Sequence, residues 1–386
     1  MLQPDYQGGS IVNLMATLIH GLDGVPPDYA PLRELRPGRL REYRNVVLLV
    51  IDGLGYRHLT RDAADSTLHG HLLGRITSVF PTTTAMAITT FYTGLAPQQH
   101  GVTGWHAWFR ELGCVLKVLP TRPRYGGASL GEAGIDATRL FGHVPVFDGL
   151  GARSHVITPQ YIAHSDFNRA HAGTASVSGY RTLDEMFASI SGAVRGSRER
   201  NFVYAYWPEL DRIAHQYGST SEEARDHLTK LDAGFARCLS SLAGSDTLVV
   251  VTADHGIIDT AEDRVIDLAD HPALAETLVL PLCGEPRVAY CYVRPDSRRD
   301  FEQYVSQELA AYADLWPSRE LVARNYFGPG ILHPRLLERV GDYTLIMKEN
   351  FVIKDWLFAE HRYTQVGVHG GLSDAELYVP LIVVPC

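Results

Sequence analysis

The segment VVLLVIDGLG, Val46 to Gly55, sets an acidic residue directly after an unbroken aliphatic run. A strand buried on both faces reads as such a run, and parallel sheets bury their strands that way. In an open α/β sheet, residues just past the carboxyl ends of the strands line the ligand-binding edge. Asp52 therefore reads as a side chain delivered to a working edge. The pattern recurs in YAYWPELDRIAHQYG, Tyr204 to Gly218, and in TLVVVTADHG, Thr247 to Gly256. Asp211 with His215, and Asp254 with His255, follow those apolar runs, and His369 lies further on in VGVHGG. Alone, Asp211 and His215 would be an ordinary i,i+4 helix pair. Together the six residues are candidate ligands for a paired metal site.

Strand and helix signals alternate along the chain, which marks a layered α/β fold. The clearest strands are 45–51, 154–158, 201–206 and 247–252, and 381–384 is expected to close the sheet. The best helix starts at a capping box, Thr220 with Glu223. It carries Ala224, Leu228, Leu231, Phe235, Leu239 and Leu242 at spacings of three and four, and Gly244 is placed to end it. Two stretches, about 97–152 and 257–365, break the alternation. They read as insertions over the open face of one catalytic domain spanning 1–386, where substrate-reading loops belong.

Composition limits what the site can serve. With 386 residues, 45% of them hydrophobic and 20% charged, the chain has an ordinary globular make-up. A net charge of -9 argues against a long nucleic acid, whose binding depends on Lys and Arg neutralising phosphates. A small anionic substrate fits. The start, MLQPDYQGG, shows no basic or apolar leader, and the longest aliphatic run is Val46–Ile51. That is far short of the ~20 residues of a membrane span, so the expectation is a cytoplasmic protein with no membrane partner. Five scattered cysteines without a CxxC spacing agree with a reducing compartment.

A nucleophile could come from SVFPTTTAMAITTFYTGLAPQQHG, Ser78 to Gly101. The pattern predicts a helix from near Thr84 to Thr93, stopped by Gly94. A hydroxyl at its N-terminus would face free backbone N–H groups and the positive end of the helix dipole, where a phosphate is stabilised. Threonines at that place would also serve as caps.

The segments VVLLVIDGLG, FPTTTAMAITTFYTGLAPQQHGV, YWPELDRIAHQYG, VVVTADHG and VGVHGG occur in the order and context of the alkaline phosphatase superfamily. They most resemble its nucleotide pyrophosphatase/phosphodiesterase branch, from Val46 to His369. The resemblance implies a three-layer α/β/α sandwich with a mostly parallel central sheet and inserted cap segments. It implies one zinc held by Asp211, His215 and His369, and a second held by Asp52, Asp254, His255 and the hydroxyl of Thr84. Aligning Pro81 and Thr93–Leu95 with the family pattern makes Thr84 the nucleophile. Mixed imidazole and carboxylate donors suit Zn²⁺, with Mn²⁺ or Fe²⁺ as substitutes. Two cations ~4 Å apart can activate an attacking oxygen and stabilise a leaving one. The implied activity is hydrolysis of phosphodiester or pyrophosphate bonds in small nucleotide-like substrates through a phosphothreonine. The alternatives are a phosphonate or phosphomonoester hydrolase on the same scaffold, or a non-catalytic metal-binding relative.

One position departs from the family pattern. An asparagine that grips a phosphate oxygen is usual three residues after the nucleophile, and Ala87 stands there. The backbone N–H of Ala85 is the candidate replacement. Trp105, Trp108 and Tyr161 lie in or near the first insertion and could stack on a flat leaving group or simply pack. Arg122, Arg124 and Arg139 could meet a second phosphate or sit solvated. His100 reads as a structural hydrogen-bonder, and Asp374 and Glu376 as caps or braces.

Overall fold

Strand β1, Asn45–Ile51, is buried at every position, as a parallel strand covered on both faces must be. The computed structural model describes residues 1–386 apart from Pro26, Pro27, Ala359 and His361. Six more strands complete the central sheet: β2 (Leu72–Thr77), β3 (Arg153–Pro159), β4 (Ser176–Tyr180), β5 (Asn201–Trp207), β6 (Thr247–Thr252) and β7 (Tyr378–Pro385). Their order is β2-β7-β6-β1-β5-β3-β4. Pairing is parallel from β6 through β4, and β7 runs antiparallel to both its neighbours.

The chief helices are α1 (Ile11–Gly21), α2 (Thr84–Thr93), α3 (Leu183–Arg195), α4 (Glu209–Tyr217) and α5 (Glu222–Leu242). Phe187 and Ile190 of α3 and Phe235 and Cys238 of α5 gather around Val47, Leu49 and Val249. Phe91 and Tyr92 of α2 meet Tyr204, the register partner of Leu48. Successive strand residues point to opposite faces, so helices cover both sides and the three-layer α/β/α sandwich follows.

Two expectations need correction, and two strands were not anticipated. The C-terminal strand exists but does not close the sheet, because β2 pairs outside it. β2 (LLGRIT) shows alternating exposure and β4 (SVSGY) has no apolar run, so neither edge strand carried the signal of a buried one. Helix α5 is capped by Ser221, whose hydroxyl accepts the Ala224 N–H at 3.1 Å, rather than by Thr220. Gly244 follows its end in the left-handed region, φ +69°.

The two irregular stretches build a second, antiparallel seven-stranded sheet. Its order is 313–317, 343–347, 288–291, 283–285, 106–109, 114–117 and 122–123. The stretches meet where Gly284 pairs with His106. A Cβ on Gly104 would lie 2.7 Å from the Gly284 Cα, so the backbones touch there only because Gly104 lacks a side chain. Among the described residues, no helix is long and apolar enough to cross a membrane, and the five cysteines are free thiols.

A buried ion pair ties the second sheet to the first. Arg287, at the head of strand 288–291, bonds both carboxylate oxygens of Glu376 at 3.1 and 3.0 Å. Glu376 leads into β7 and also accepts the Gly371 N–H at 2.7 Å. Removing one partner of such a pair strands a buried charge and costs about 3–5 kcal/mol. Arg287→Met should therefore lower the unfolding free energy by about that amount in urea denaturation.

Behind α2, the buried His100 and His171 group with the half-buried His143, with rings of neighbours 5.3–6.1 Å apart, and His333 borders them. Burial holds His143 down to about 3 and His171 and His333 to about 4, with repulsion among neighbours adding for His143. These groups bind protons more readily in the unfolded chain, near ~6.5. Stability should fall as pH drops from ~6.5 toward ~4. The urea midpoint should be lower at about pH 5 than at about pH 7. His171→Gln, which retains a donor for the Phe167 carbonyl, should shrink that difference.

Candidate active site

Three adjacent parallel strands end at one edge, and each is followed by a carboxylate. Asp52 follows β1, Asp254 follows β6, and Asp211 sits in the first turn of α4 after β5. All three are buried. Gly53 takes φ +74° against Asp211, and a Cβ there would lie 3.0 Å from the Asp211 Cβ, so only glycine admits this turn. Each acid has one anchored oxygen. Asp52 Oδ2 accepts the Tyr206 hydroxyl, Asp254 Oδ1 accepts the Gly53 and His255 N–H groups at 3.1 and 2.9 Å, and Asp211 Oδ2 lies 3.1 Å from His215 Nε2. The other oxygens, Asp52 Oδ1, Asp211 Oδ1 and Asp254 Oδ2, have no hydrogen-bond partner among the described residues. Burial, reinforced by its acidic neighbours, holds Asp52 well above the usual carboxylate range. Burial likewise pushes Asp254 up to about 6. For Asp211, burial is outweighed by His215, and the acid is held low while His215 rises to about 9.

The histidines are oriented by backbone carbonyls. Nδ1 of His215 faces the Gly367 oxygen at 2.7 Å, that of His255 the Gly256 oxygen at 3.1 Å, and that of His369 the Thr82 oxygen at 3.0 Å. A carbonyl can only accept, so each Nδ1 carries a proton, and each ring when neutral holds its lone pair on Nε2. This is how metal-binding histidines are normally held. The rings of His255 and His369 stack at 3.7 Å.

Around His255 Nε2, Thr84 Oγ1 lies at 3.1 Å, and Asp52 Oδ1 and Asp254 Oδ2 both lie at 3.4 Å. Donors bound ~2.0 Å from a tetrahedral ion are about 3.3 Å apart, so these separations suit one cation. Donor atoms of Asp52, Asp254 and His255 lie within 4.8 Å of one another, and so do those of Asp211, His255 and His369. His215 reaches this second group through Asp211. The orphaned oxygens, the fixed lone pairs and the spacing all fit bound metal.

Thr84 opens α2, which ends at Gly94 with φ +71°, matching the helix read from the sequence. The N–H groups of Thr84 and Ala85 have no partner among the described residues, as expected in a first helical turn. Ala87 is buried and its N–H bonds the Thr83 carbonyl, so it offers no donor. A cavity of about 1420 Å³ opens beside Thr84 and is lined by Asp52, Asp211, His215, His369, Trp105 and Tyr161. Trp108 packs against the core instead. Arg124 is buried and bonded to Asp355 and Glu360, while Arg139 is an exposed partner of Asp136. His100 Nδ1 accepts the Val102 N–H at 3.1 Å, and Asp374 pairs with Arg75.

Two contributors escaped the sequence reading. Tyr206, which bonds Asp52, was detectable only as a hydroxyl inside an apolar strand. Glu285 accepts the Thr83 hydroxyl at 2.6 Å and the Trp105 N–H at 2.7 Å, and burial pushes it up to about 7. Nothing near Glu285 in sequence announces that it sits beside α2.

The model of the type I phosphodiesterase / nucleotide pyrophosphatase family matches residues 46–372. The chain belongs to this family. Members of the type I phosphodiesterase family are metal-dependent phosphoester hydrolases of the alkaline phosphatase superfamily, and the chain is a hydrolase of that class. Similar solved structures include murine ectonucleotide pyrophosphatase/phosphodiesterase 5, in an inactive variant with AMP, at 18% identity. That alignment covers 87% of each chain, with a TM-score of 0.66. The human protein of the same name is 16% identical over 88% of this chain and 87% of its own, with a TM-score of 0.65. Phosphonoacetate hydrolase from Sinorhizobium meliloti, with phosphonoformate, is 18% identical over 89% of this chain and 90% of its own, with a TM-score of 0.65. These likenesses bear on the fold. No curated protein matches the chain in sequence.

Metal that binds only the folded state stabilises it, by about 2.7 kcal/mol at a hundredfold excess over Kd. Chelator-stripped protein should therefore melt at a lower temperature than protein given excess divalent cation. Scanning calorimetry with Zn²⁺, Mn²⁺ and Mg²⁺ added separately reads both the gain and the preferred ion.

Proposed function

We propose that this chain cleaves phosphodiester or pyrophosphate bonds of small nucleotide-like substrates through a phosphothreonine on Thr84, at a site holding two zinc ions. The observation that carries the reading is the approach of Thr84 Oγ1 to His255 Nε2 beside two unpartnered carboxylate oxygens. One ion would be held by Asp211, His215 and His369, the other by Asp52, Asp254, His255 and the Thr84 hydroxyl. Bound zinc supplies Lewis acidity that favours the alkoxide of Thr84 and the charge on the departing oxygen. Mn²⁺ or Fe²⁺ would suit the same donors.

The rest belongs to the chain's own residues. Thr84 Oγ gives its proton to solvent water and bonds to phosphorus as the bond to the leaving oxygen breaks. The departing alkoxide or phosphate takes up a proton from water. A water molecule then bonds to phosphorus from the side opposite Thr84 as the phosphorus–Oγ bond breaks, and the proton the water gives up returns through solvent to Thr84 Oγ. The open N–H groups of Thr84 and Ala85 would hold a phosphate oxygen at the positive end of α2. Trp105 and Tyr161, on the cavity wall, would stack on a base or other flat leaving group. AMP and phosphonoformate in the structural neighbours support a small anionic ligand, and the reading is of a cytoplasmic enzyme. Ala87 leaves the asparagine grip unfilled, which favours as second reading a phosphonate or phosphomonoester hydrolase on the same scaffold.

Zinc-loaded protein should turn over bis-p-nitrophenyl phosphate well above p-nitrophenyl phosphate, and faster turnover of an aryl phosphonate ester would favour the second reading. Thr84→Ala should abolish turnover and keep about two zinc ions per chain by elemental analysis. Activity surviving in that variant would sink the assignment of the nucleophile.

A further inference from the structure

Six lysines and arginines line the cavity above Thr84: Lys117, Arg122, Arg124, Arg169, Arg212 and Lys354. Lys117 and Arg124 pair with Glu360, Arg122 with Glu132 and Arg212 with Glu209. Arg169 is exposed to solvent. Lys354 is buried, with 7% of its surface exposed, and has no carboxylate at ion-pairing distance among the described residues. Its ammonium has one long hydrogen bond, to Gln365 Oε1 at 3.4 Å, and the ring faces of Tyr363 and Trp356 at 4.8 and 5.6 Å. Gln365 in turn lies 3.1 Å from His215 Nδ1, which sets Lys354 beside the metal-binding cluster.

A buried ammonium has three donors and loses several kcal/mol of hydration. One weak hydrogen bond and two aromatic faces at ~1 kcal/mol each do not replace that. Burial accordingly pulls Lys354 down to about 8. The side chain is under-compensated on a cavity wall, where an incoming anion could complete it.

We propose that Lys354 binds a second anionic group of the substrate, a carboxylate or a phosphate, carried on a substituent of the phosphoryl group that Thr84 attacks. The inference rests on the hydrolase reading above and narrows it. Favoured substrates carry a second negative charge on that substituent, and among diesters those with an acidic arm bind more tightly than those with two neutral arms. The arrangement also supplies a cation that the segments around the metal ligands lack, because Lys354 stands in FVIKDW, fifteen residues before His369.

The test is calorimetric binding of three inert ligands to zinc-loaded Thr84→Ala protein: propylphosphonate, phosphonopropionate and propanediyl bisphosphonate. The acid-tailed ligands should bind at least ~10-fold tighter than propylphosphonate, the scale of one charged hydrogen bond. Lys354→Met should bring tailed and untailed ligands to parity with propylphosphonate affinity unchanged, and Lys354→Arg should retain the preference. Whether the carboxylate or the phosphonate tail gains more identifies the source of the second anion. Equal binding of all three ligands to protein with Lys354 intact, or a preference that survives Lys354→Met, overturns the inference alone. No binding by any ligand overturns the hydrolase reading with it.

Discussion

Three carboxylates without full solvation, delivered to one edge by three neighbouring parallel strands, set the terms for everything around them. Adjacent strands lie ≈4.8 Å apart, so in-register strands of similar length place Asp52, Asp211 and Asp254 within mutual repulsion. Two like charges at 4 Å repel by about 4 kcal/mol at an effective dielectric of 20, a large share of the 5–15 kcal/mol by which a protein is stable. Burial and this repulsion raise the proton affinity of Asp52 and Asp254, and Asp211 pairs with His215. Divalent cations relieve the repulsion without giving up the charges. The neighbouring details serve the same end: a glycine where a side chain would collide, one anchored oxygen per acid, and three imidazoles turned by carbonyls.

How much of this could be read from the chain depends on how local each signal is. The central strands announced themselves because burial on both faces demands an unbroken run such as Val46–Ile51. The candidate ligands were legible because strand ends are places of known chemistry, and α2 because Gly94 and the threonines bracket it. The edge strands β2 and β4 were not, since one-sided burial leaves mixed composition. The second sheet was not, because 106–109 and 283–285 are far apart in sequence and pair through one glycine contact that no periodicity encodes. Glu285 and Lys354 were missed for the same reason: each is an isolated charge whose partner is decided by tertiary folding.

The two sheets divide the work. The first supplies the acids, histidines and Thr84; the second brings Glu285 to Thr83 and shapes the wall opposite. Arg287 and Glu376 make that division rigid. Glu376 holds the N–H of Gly371, two residues beyond His369, while Arg287 belongs to the second sheet. A shift of one sheet against the other would therefore move His369 as well as the cavity wall. The pair is better understood as fixing register between sheets than as adding net stability, since the desolvation of two charges offsets most of their attraction.

The alanine at position 87 gains meaning from this arrangement. A side-chain donor at position 87 of α2 would grip a non-bridging phosphoryl oxygen whatever else the substrate carried, and so would contribute rate without selectivity. In its absence the remaining holds are the two open amides of α2 and the cations in the cavity. Amides at a helix N-terminus favour any phosphate equally. Discrimination must then come from groups that meet the rest of the substrate, and Lys354 is the buried, acid-free cation on that wall among the described residues. Loss of a general grip and presence of an uncompensated lysine are thus two sides of one design, in which binding energy is drawn from the substituent rather than from the phosphoryl group itself.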